Sequence, residues 1–373
     1  MIPKEKNSKV SKNKNKVFNN IESSNKSSST NCESIFKIEK VPKNLHNIEE
    51  NSKDKPKTIT TLLYDSIPTS QLKQYKKQQK DLETQLLEDP FVPIEYNSHS
   101  NSVLTLIFFN GLLASGSSDK TIKIWDISTN DIYRTLSGHF NSVFSLAYLH
   151  NGCIASGSSD RLIKIWEIST GTCIRTLYGH LCYVMSLSFI STKLLASGST
   201  DKRIKVWDFL TGRCLKTVKY PFFINTILTL KNNLLASGSW DKTIKIWSIP
   251  TLKEKNSFEG HTYWIYSLAA IEEKLLASSS NDKNIKIWEI ETGTCMKTLS
   301  GHFDSVNSLS YLGYGFLLSG STDRTIKIWK LTAGKCLKTI NGHESYIYTV
   351  VHIKNGIFAS GSEDKAIKLW KYK

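Results

Sequence analysis

No stretch of the 373-residue chain is long and apolar enough for a membrane-spanning helix: the longest apolar run lies near VLTLIFF (103–109), far short of the roughly 20 residues a bilayer requires. The stretch from Met1 to Thr30 is mostly Lys, Asn and Ser without an apolar core, so no secretory leader is expected. Cysteine is sparse, seven in all, and Cys173, Cys214, Cys295 and Cys336 each stand seven residues after an equivalent Trp. Residues at one repeat position belong to different structural units. Neither a disulfide framework nor a zinc site is therefore expected, which fits a reducing compartment, cytoplasmic with nuclear as the alternative.

Acids are too few to balance the bases, and the net charge is +16. Residues 1–90 hold 17 Lys against 12 acids, which is +5, and the remainder holds 32 Lys and Arg against 21 acids, which is +11. Fourteen of those 32 recur at two fixed positions, one just after a turn Asp (Lys120, Arg161, Lys202, Lys242, Lys283, Arg324, Lys365) and one within the strand that follows. The leading reading is a solvated surface with apolar stems lying on the protein. A phosphate-binding stripe is the alternative.

What the chain does have is repetition. Trp125, Trp166, Trp207, Trp247, Trp288, Trp329 and Trp370 follow one another with a period of roughly 40 residues, the length of a propeller repeat. Only the interval from Trp207 to Trp247 differs, being one residue shorter than the rest. An Asp stands six residues before each Trp, from Asp119 and Asp160 to Asp364. Gly-His stands at one fixed distance ahead of five of them, at His139, His180, His261, His302 and His343. Each period reads as four short strands; in the second these are VFSLAYL, GCIASGS, LIKIWEI and CIRTL. Such a period marks an all-β propeller array and not βαβ units. Three regions are expected: a disordered Lys/Asn/Ser-rich tail at 1–57, a linker at 58–90 and one repeat domain at 91–373. Within the linker, Leu72, Tyr75, Leu82 and Leu86 predict a short amphipathic helix, capped by Thr69 or Ser70, that serves a partner, self-association or merely spacing. The last repeat ends three residues after Trp370, too soon for a fourth strand, so FVPIEY at 91–96 is expected to pair with the strand around 367–370 and close the ring.

The recurring GH, LASGS, Asp and IKIW elements resemble the WD-repeat family over about three quarters of the chain. The resemblance implies a seven-bladed propeller of four-stranded antiparallel blades, monomeric in itself and used as a platform for protein contacts. It also implies a structural network in which each buried indole N–H meets a strand hydroxyl, an imidazole and a turn carboxylate. In the second repeat these are Trp166, Ser156, His139 and Asp160. A Ser, a His and an Asp also suggest a hydrolase, but an active site is normally built once per domain while this set recurs. No enzyme, catalytic residue, cofactor or metal is expected. Two copies depart: the first has Ser98-His99, one position closer to its Trp than in the other copies, and the fourth has Lys219-Tyr220 in place of Gly-His, within KYPFFIN.

By the same resemblance, residues three and five after the His and the residue before the Asp face the narrow top entrance. These are Phe144, Tyr183, Met185, Phe223, Trp264, Tyr266, Tyr346 and Tyr348, with Trp240 before its Asp. The expected function is a non-catalytic scaffold or adaptor binding protein or peptide partners through these aromatics, Trp240 and Trp264 foremost. An RNA-associated subunit and a substrate adaptor of a ubiquitin ligase are the alternatives, and no membrane partner is expected.

Overall fold

The alternation of branched apolar and small residues in each repeat makes strands of five to eight residues, and Gly, Asn, Asp and Ser end them. In this computed structural model residues 57–372 are described, apart from Ser66, Asp89, Ser98, Pro250 and Asn355. The tail expected at 1–57 lies outside these residues save for Lys57. In the first complete repeat the strands are β2 (Val103–Phe109), β3 (Leu112–Ser117), β4 (Ile122–Asp126) and β5 (Asp131–Leu136). The second blade follows with β6 (Val143–Tyr148), β7 (Cys153–Ser158), β8 (Ile163–Glu167) and β9 (Cys173–Leu177). Blades 3 to 6 repeat this pattern over 184–219, 224–258, 265–299 and 306–340, and all sheets are four-stranded and antiparallel. The result is a seven-bladed β-propeller.

Both faces of a blade are covered by neighbours, so its middle strands carry little polar surface. Ala114, Ile122 and Ile124 of blade 1 pack against Val143, Leu146, Ile154 and Trp166 of blade 2, and equivalent clusters lie between the other blades. With the four strands of a blade lettered a to d from the innermost outwards, the blades approach closely at the Gly of the strand-b SGS sequence. A Cβ on Gly157 would lie 2.7 Å from Val184 Cγ1 of the next blade.

Ring closure follows the sequence expectation. Blade 7 has the strand order β1 (Phe91–Tyr96), β28 (Ile367–Tyr372), β27 (Ile357–Ser362), β26 (Ile347–Lys354), and β1 runs antiparallel to β28 with Pro93 opposite Trp370. Pro93 lacks a backbone N–H and is tolerated because β1 is the outer edge.

Two helices precede β1. Helix α1 (Ile59–Tyr64), not foreseen from the sequence, is capped by Thr58, whose hydroxyl accepts from Thr61 N at 3.1 Å. Helix α2 spans Thr69–Glu88. It starts one residue earlier than a Thr69 or Ser70 cap allows, since the Pro68 carbonyl already accepts from Gln71 N and Leu72 N at 2.8 and 3.1 Å. The apolar sides of both helices dock on the propeller. Leu62 and Leu63 join Ile271, Leu275 and Leu299, while Leu82 and Leu86 join Leu312, Phe316 and Phe358. Polar contacts add to this: Tyr75 and Tyr311 both donate to Glu272, Gln79 donates to the Tyr314 carbonyl at 2.6 Å, and Lys330 pairs with Glu83 at 2.7 Å. The polar partners lie at the a–b and c–d turns of blades 5 and 6 or next to them, and Phe358 follows the a–b turn of blade 7. The helices therefore cover the bottom of the propeller, opposite the Gly-His loops.

Four leucines buried by the helices contribute about 1.5–3 kcal/mol each, and β1 covers a sheet edge as well. Thermal melts should rank a chain starting at Lys57 above one starting at Pro90, and that above one starting at Asn97, with the largest single drop on losing β1. Equal melting temperatures for the last two would show that β1 does not hold the ring closed.

Candidate functional site: the top face

Each motif Trp begins as a packing problem. Its ring is buried between blades, so its N–H needs an acceptor inside the protein. In all seven blades that acceptor is the strand-b serine hydroxyl, at 2.8 Å in six and 3.1 Å in blade 1. An indole only donates, so the hydroxyl hydrogen is left for a ring nitrogen of the imidazole. Ser156 Oγ lies 2.6 Å from His139 Nε2, whose Nδ1 lies 2.7 Å from Asp160 Oδ2. The same chain is complete at His99, His180, His261, His302 and His343. Blade 1, with Ser98 in place of Gly, builds it as well as the others. The preceding Gly has room for this path where it occurs: Gly138 has φ 146°, and its Cβ would lie 3.3 Å from Trp166 Cη2.

The distances match those of a hydrolytic triad, but the surroundings do not. Ser156 is fully buried and its oxygen accepts from the indole, so no substrate carbonyl can reach it. The carboxylate instead orders the top loop, since Asp160 Oδ2 also accepts from Phe140 N at 3.0 Å and Oδ1 from Leu162 N at 2.9 Å. Burial by itself raises the carboxyls of Asp119, Asp160, Asp201, Asp282, Asp323 and Asp364. The hydrogen bond from the imidazole and the backbone donors outweigh burial and hold all six below the ordinary carboxylate range.

Blade 4 solves the same problem differently. Tyr220 occupies the imidazole's place and donates to Asp241 Oδ2 at 2.6 Å, and Lys245 lies over its ring. Burial and the neighbouring carboxylate push its hydroxyl well above the ordinary tyrosine value. Trp247 still donates to Ser237, yet no imidazole links that serine to the carboxylate. The next residue is Pro221, which has no N–H to give to Asp241, so this loop lacks the backbone tether found in the six His blades.

Beside that loop the structure gathers three of the residues expected at the entrance. Trp240 and Trp264 stack with ring centroids 3.9 Å apart and planes at 11°, and Phe223 meets the edge of Trp240 at 4.9 Å. Trp240 is only 9% exposed and donates to Asn225 Oδ1, so it is the floor of the cluster. Trp264 is half-buried, and Tyr263 and Phe222 form the exposed rim at 42% and 49%. The others lie elsewhere. Tyr183 is near Phe144, and Tyr346 lines an open cleft of about 620 Å³ with Phe303 and Arg324. Tyr266 accepts from Asn281, and burial pushes its hydroxyl up to about 12. Burial, with Glu363 nearby, likewise raises Tyr348.

The most exposed top-face apolars are ones the sequence reading passed over: Phe140 at 77%, Leu181 at 65% and Phe303 at 81%, with Tyr178 at 72%. The first three immediately follow a network His, a regularity visible in the repeats. Neither positions three and five after the His nor a residue before the Asp includes them.

Comparison with known families gives matches to "WD domain, G-beta repeat" at residues 93–126, 130–167, 171–208, 212–248, 252–289, 293–330 and 334–371. The chain belongs to the WD-repeat family. Each WD match starts at the outer strand of one blade and ends at the third strand of the next, so repeat and blade are out of phase by one strand. WD propellers serve in general as platforms for protein partners. A 53-residue segment is also 43% identical to the nuclear distribution protein PAC1 of Tuber melanosporum (strain Mel28), covering 14% of this chain and 12% of that protein.

Trp166→Ala should cost roughly 3–5 kcal/mol in denaturant unfolding, the scale of a large core aromatic; a loss under about 1 kcal/mol would contradict the packing role. The carboxylates give a pH signature. Their folded pKa values lie below the unfolded value of about 4, so their contribution is complete above that pH and is lost as pH falls through the folded values. Melting temperature should be level near neutrality and decline below about pH 4, with a shallower decline in Asp160→Asn.

Proposed function

We propose that this WD-repeat protein is a non-catalytic scaffold that binds a protein or peptide partner on the top face, centred on blades 4 and 5. The observation that carries this is the layered aromatic cluster of Trp240, Trp264 and Phe223 with Tyr263 and Phe222 at its rim. A rigid floor with an exposed aromatic rim is the make-up of a binding hot spot. Tyr183, Tyr266, Tyr346 and Tyr348 are assigned to the surrounding surface and to loop support. The blade-4 loop, untethered at Pro221, can adapt to what docks. No helix among the described residues is long and apolar enough to cross a membrane, and a cytoplasmic or nuclear site is consistent with the free thiols.

A second reading, an RNA-associated subunit, draws on the outer face of α2. Lys73, Lys77 and Lys80 stand there, away from the docked stripe, while Lys76 lies over the Tyr64 ring at 5.2 Å.

The partner recovered with the full chain and identified by mass spectrometry can then be titrated. Tyr263→Ala with Trp264→Ala should weaken it by at least about 2 kcal/mol. Unchanged affinity in that variant, together with a log–log salt slope near −0.7 per phosphate contact and loss of binding in Lys77→Gln with Lys80→Gln, would replace the scaffold reading with the RNA one.

A further inference from the structure

The cations of the b–c turns form a ring on the top face. Lys120, Arg161, Lys202, Lys242, Lys283, Arg324 and Lys365 stand one per blade, each immediately after the network Asp. All seven have left-handed backbone, with φ of 75°, 74°, 64°, 72°, 70°, 69° and 74°. Each closes a tight turn, such as Lys120 N to Ser117 O at 3.2 Å and Arg161 N to Ser158 O at 3.2 Å. Gly or Asn takes that conformation with least strain. The chain instead keeps a cation there seven times.

The two faces treat their cations differently. On the bottom face Lys57, Lys274 and Lys330 pair with Glu289, Asp65 and Glu83, and Lys231 pairs with Glu273. None of the seven turn cations forms an ion pair among the described residues, and six are exposed; Lys202 lies over the Phe223 ring at 5.8 Å. Each adjacent Asp of the His blades is sunk in the network with its side chain 2–11% exposed, and its oxygens, Asp201 Oδ1 apart, are taken by internal donors. Solvent therefore meets the ammonium or guanidinium first. Glu259, Asp304, Glu344 and Glu363 add negative charge to the top loops of blades 5 to 7, whereas the corresponding loops and turns of blades 1 to 4 carry no acid beyond the network Asp. Phe140, Leu181 and Phe222 stand exposed in that same sector.

We infer that the top face of blades 1 to 4 takes an acidic protein segment whose carboxylates meet Lys120, Arg161 and Lys242 while its apolar side chains rest on Phe140, Leu181 and Phe222. This rests on the top-face reading above and names the chemistry of the partner. Unpaired cations in fixed turns favour a complementary negative chain, raising encounter rate and selecting partner sign. Exposed apolars that include a leucine suit aliphatic and aromatic side chains. Successive nucleobases stack on a row of open aromatic faces, whereas here Leu181 of blade 3 stands between Phe140 of blade 2 and Phe222 of blade 4, and Trp240 is closed by Trp264.

The test is fluorescence anisotropy on the full chain with three probes: a synthetic peptide alternating Glu with Leu and Phe, the same peptide with Gln for every Glu, and a uridine-rich single-stranded RNA. The acidic peptide should bind at least about tenfold more tightly than its Gln counterpart. Arg161→Gln with Lys242→Gln should remove that difference at unchanged melting temperature, and Phe140→Ser with Leu181→Ser should weaken both peptides. Equal affinity of the two peptides, both still sensitive to Phe140→Ser with Leu181→Ser, overturns the acidic preference and leaves the top-face reading standing. Failure of the acidic peptide to bind, or tighter RNA binding lost in Arg161→Gln with Lys242→Gln, also overturns it. Acidic-peptide binding indifferent to every top-face substitution but lost in Lys77→Gln with Lys80→Gln overturns both readings.

Discussion

A buried indole with its N–H satisfied is the constraint on which the rest of the propeller depends. Placing Trp166 between blades removes a large apolar surface from water, but only if Ser156 accepts its N–H without leaving a new polar group unpaired. The serine hydrogen then needs an acceptor, the imidazole a carboxylate, and the carboxylate further donors. Satisfying each in turn leads from the core to the loop surface, so that Phe140 N is tied to Asp160. Core packing and loop position are in this way one chain of hydrogen bonds. A Ser–His–Asp set built for this purpose resembles catalytic machinery in distance and differs from it in access.

Blade 4 shows what remains when one link is replaced. Tyr220 reaches Asp241 with its hydroxyl, and desolvation favours a neutral phenol in that position. The serine–imidazole link is gone, and Pro221 removes the backbone tether. The loop released from the usual arrangement carries Phe222 and Phe223, beside Trp240 and Trp264. Loss of a structural contact and gain of an aromatic surface thus coincide at one blade.

The out-of-phase repeat governs how the ring closes. Because every repeat donates its first strand to the preceding blade, the seventh blade is complete only when β1 returns to it. The segment before β1 then leaves from the outer edge of blade 7, and α1 and α2 fold back over the bottom of blades 5 and 6. Their carboxylates Asp65 and Glu83 take up the cations of that face. The top face has no such cover among the described residues, and the polarity of the molecule comes from this difference.

The sequence by itself determined the blades, their number, their closure and the indole network, because these follow from residues repeated at one register and from pairing rules local to adjacent strands. FVPIEY could be assigned to blade 7 since a bare edge has one available partner. The apolar stripe of α2 was also legible, but its destination was not. Leu82 and Leu86 meet Leu312, Phe316 and Phe358 across a long separation in the chain, and no local pattern encodes that contact. The aromatic cluster was legible in composition only. That Trp240 lies as a floor under Trp264, while Tyr183 and Tyr346 stand elsewhere, depends on the angle between neighbouring blades and on Asn225 reaching the indole. Exposure of Phe140, Leu181 and Phe303 was likewise decided by tertiary structure: the carboxylate below holds their backbone N–H and turns their side chains to solvent.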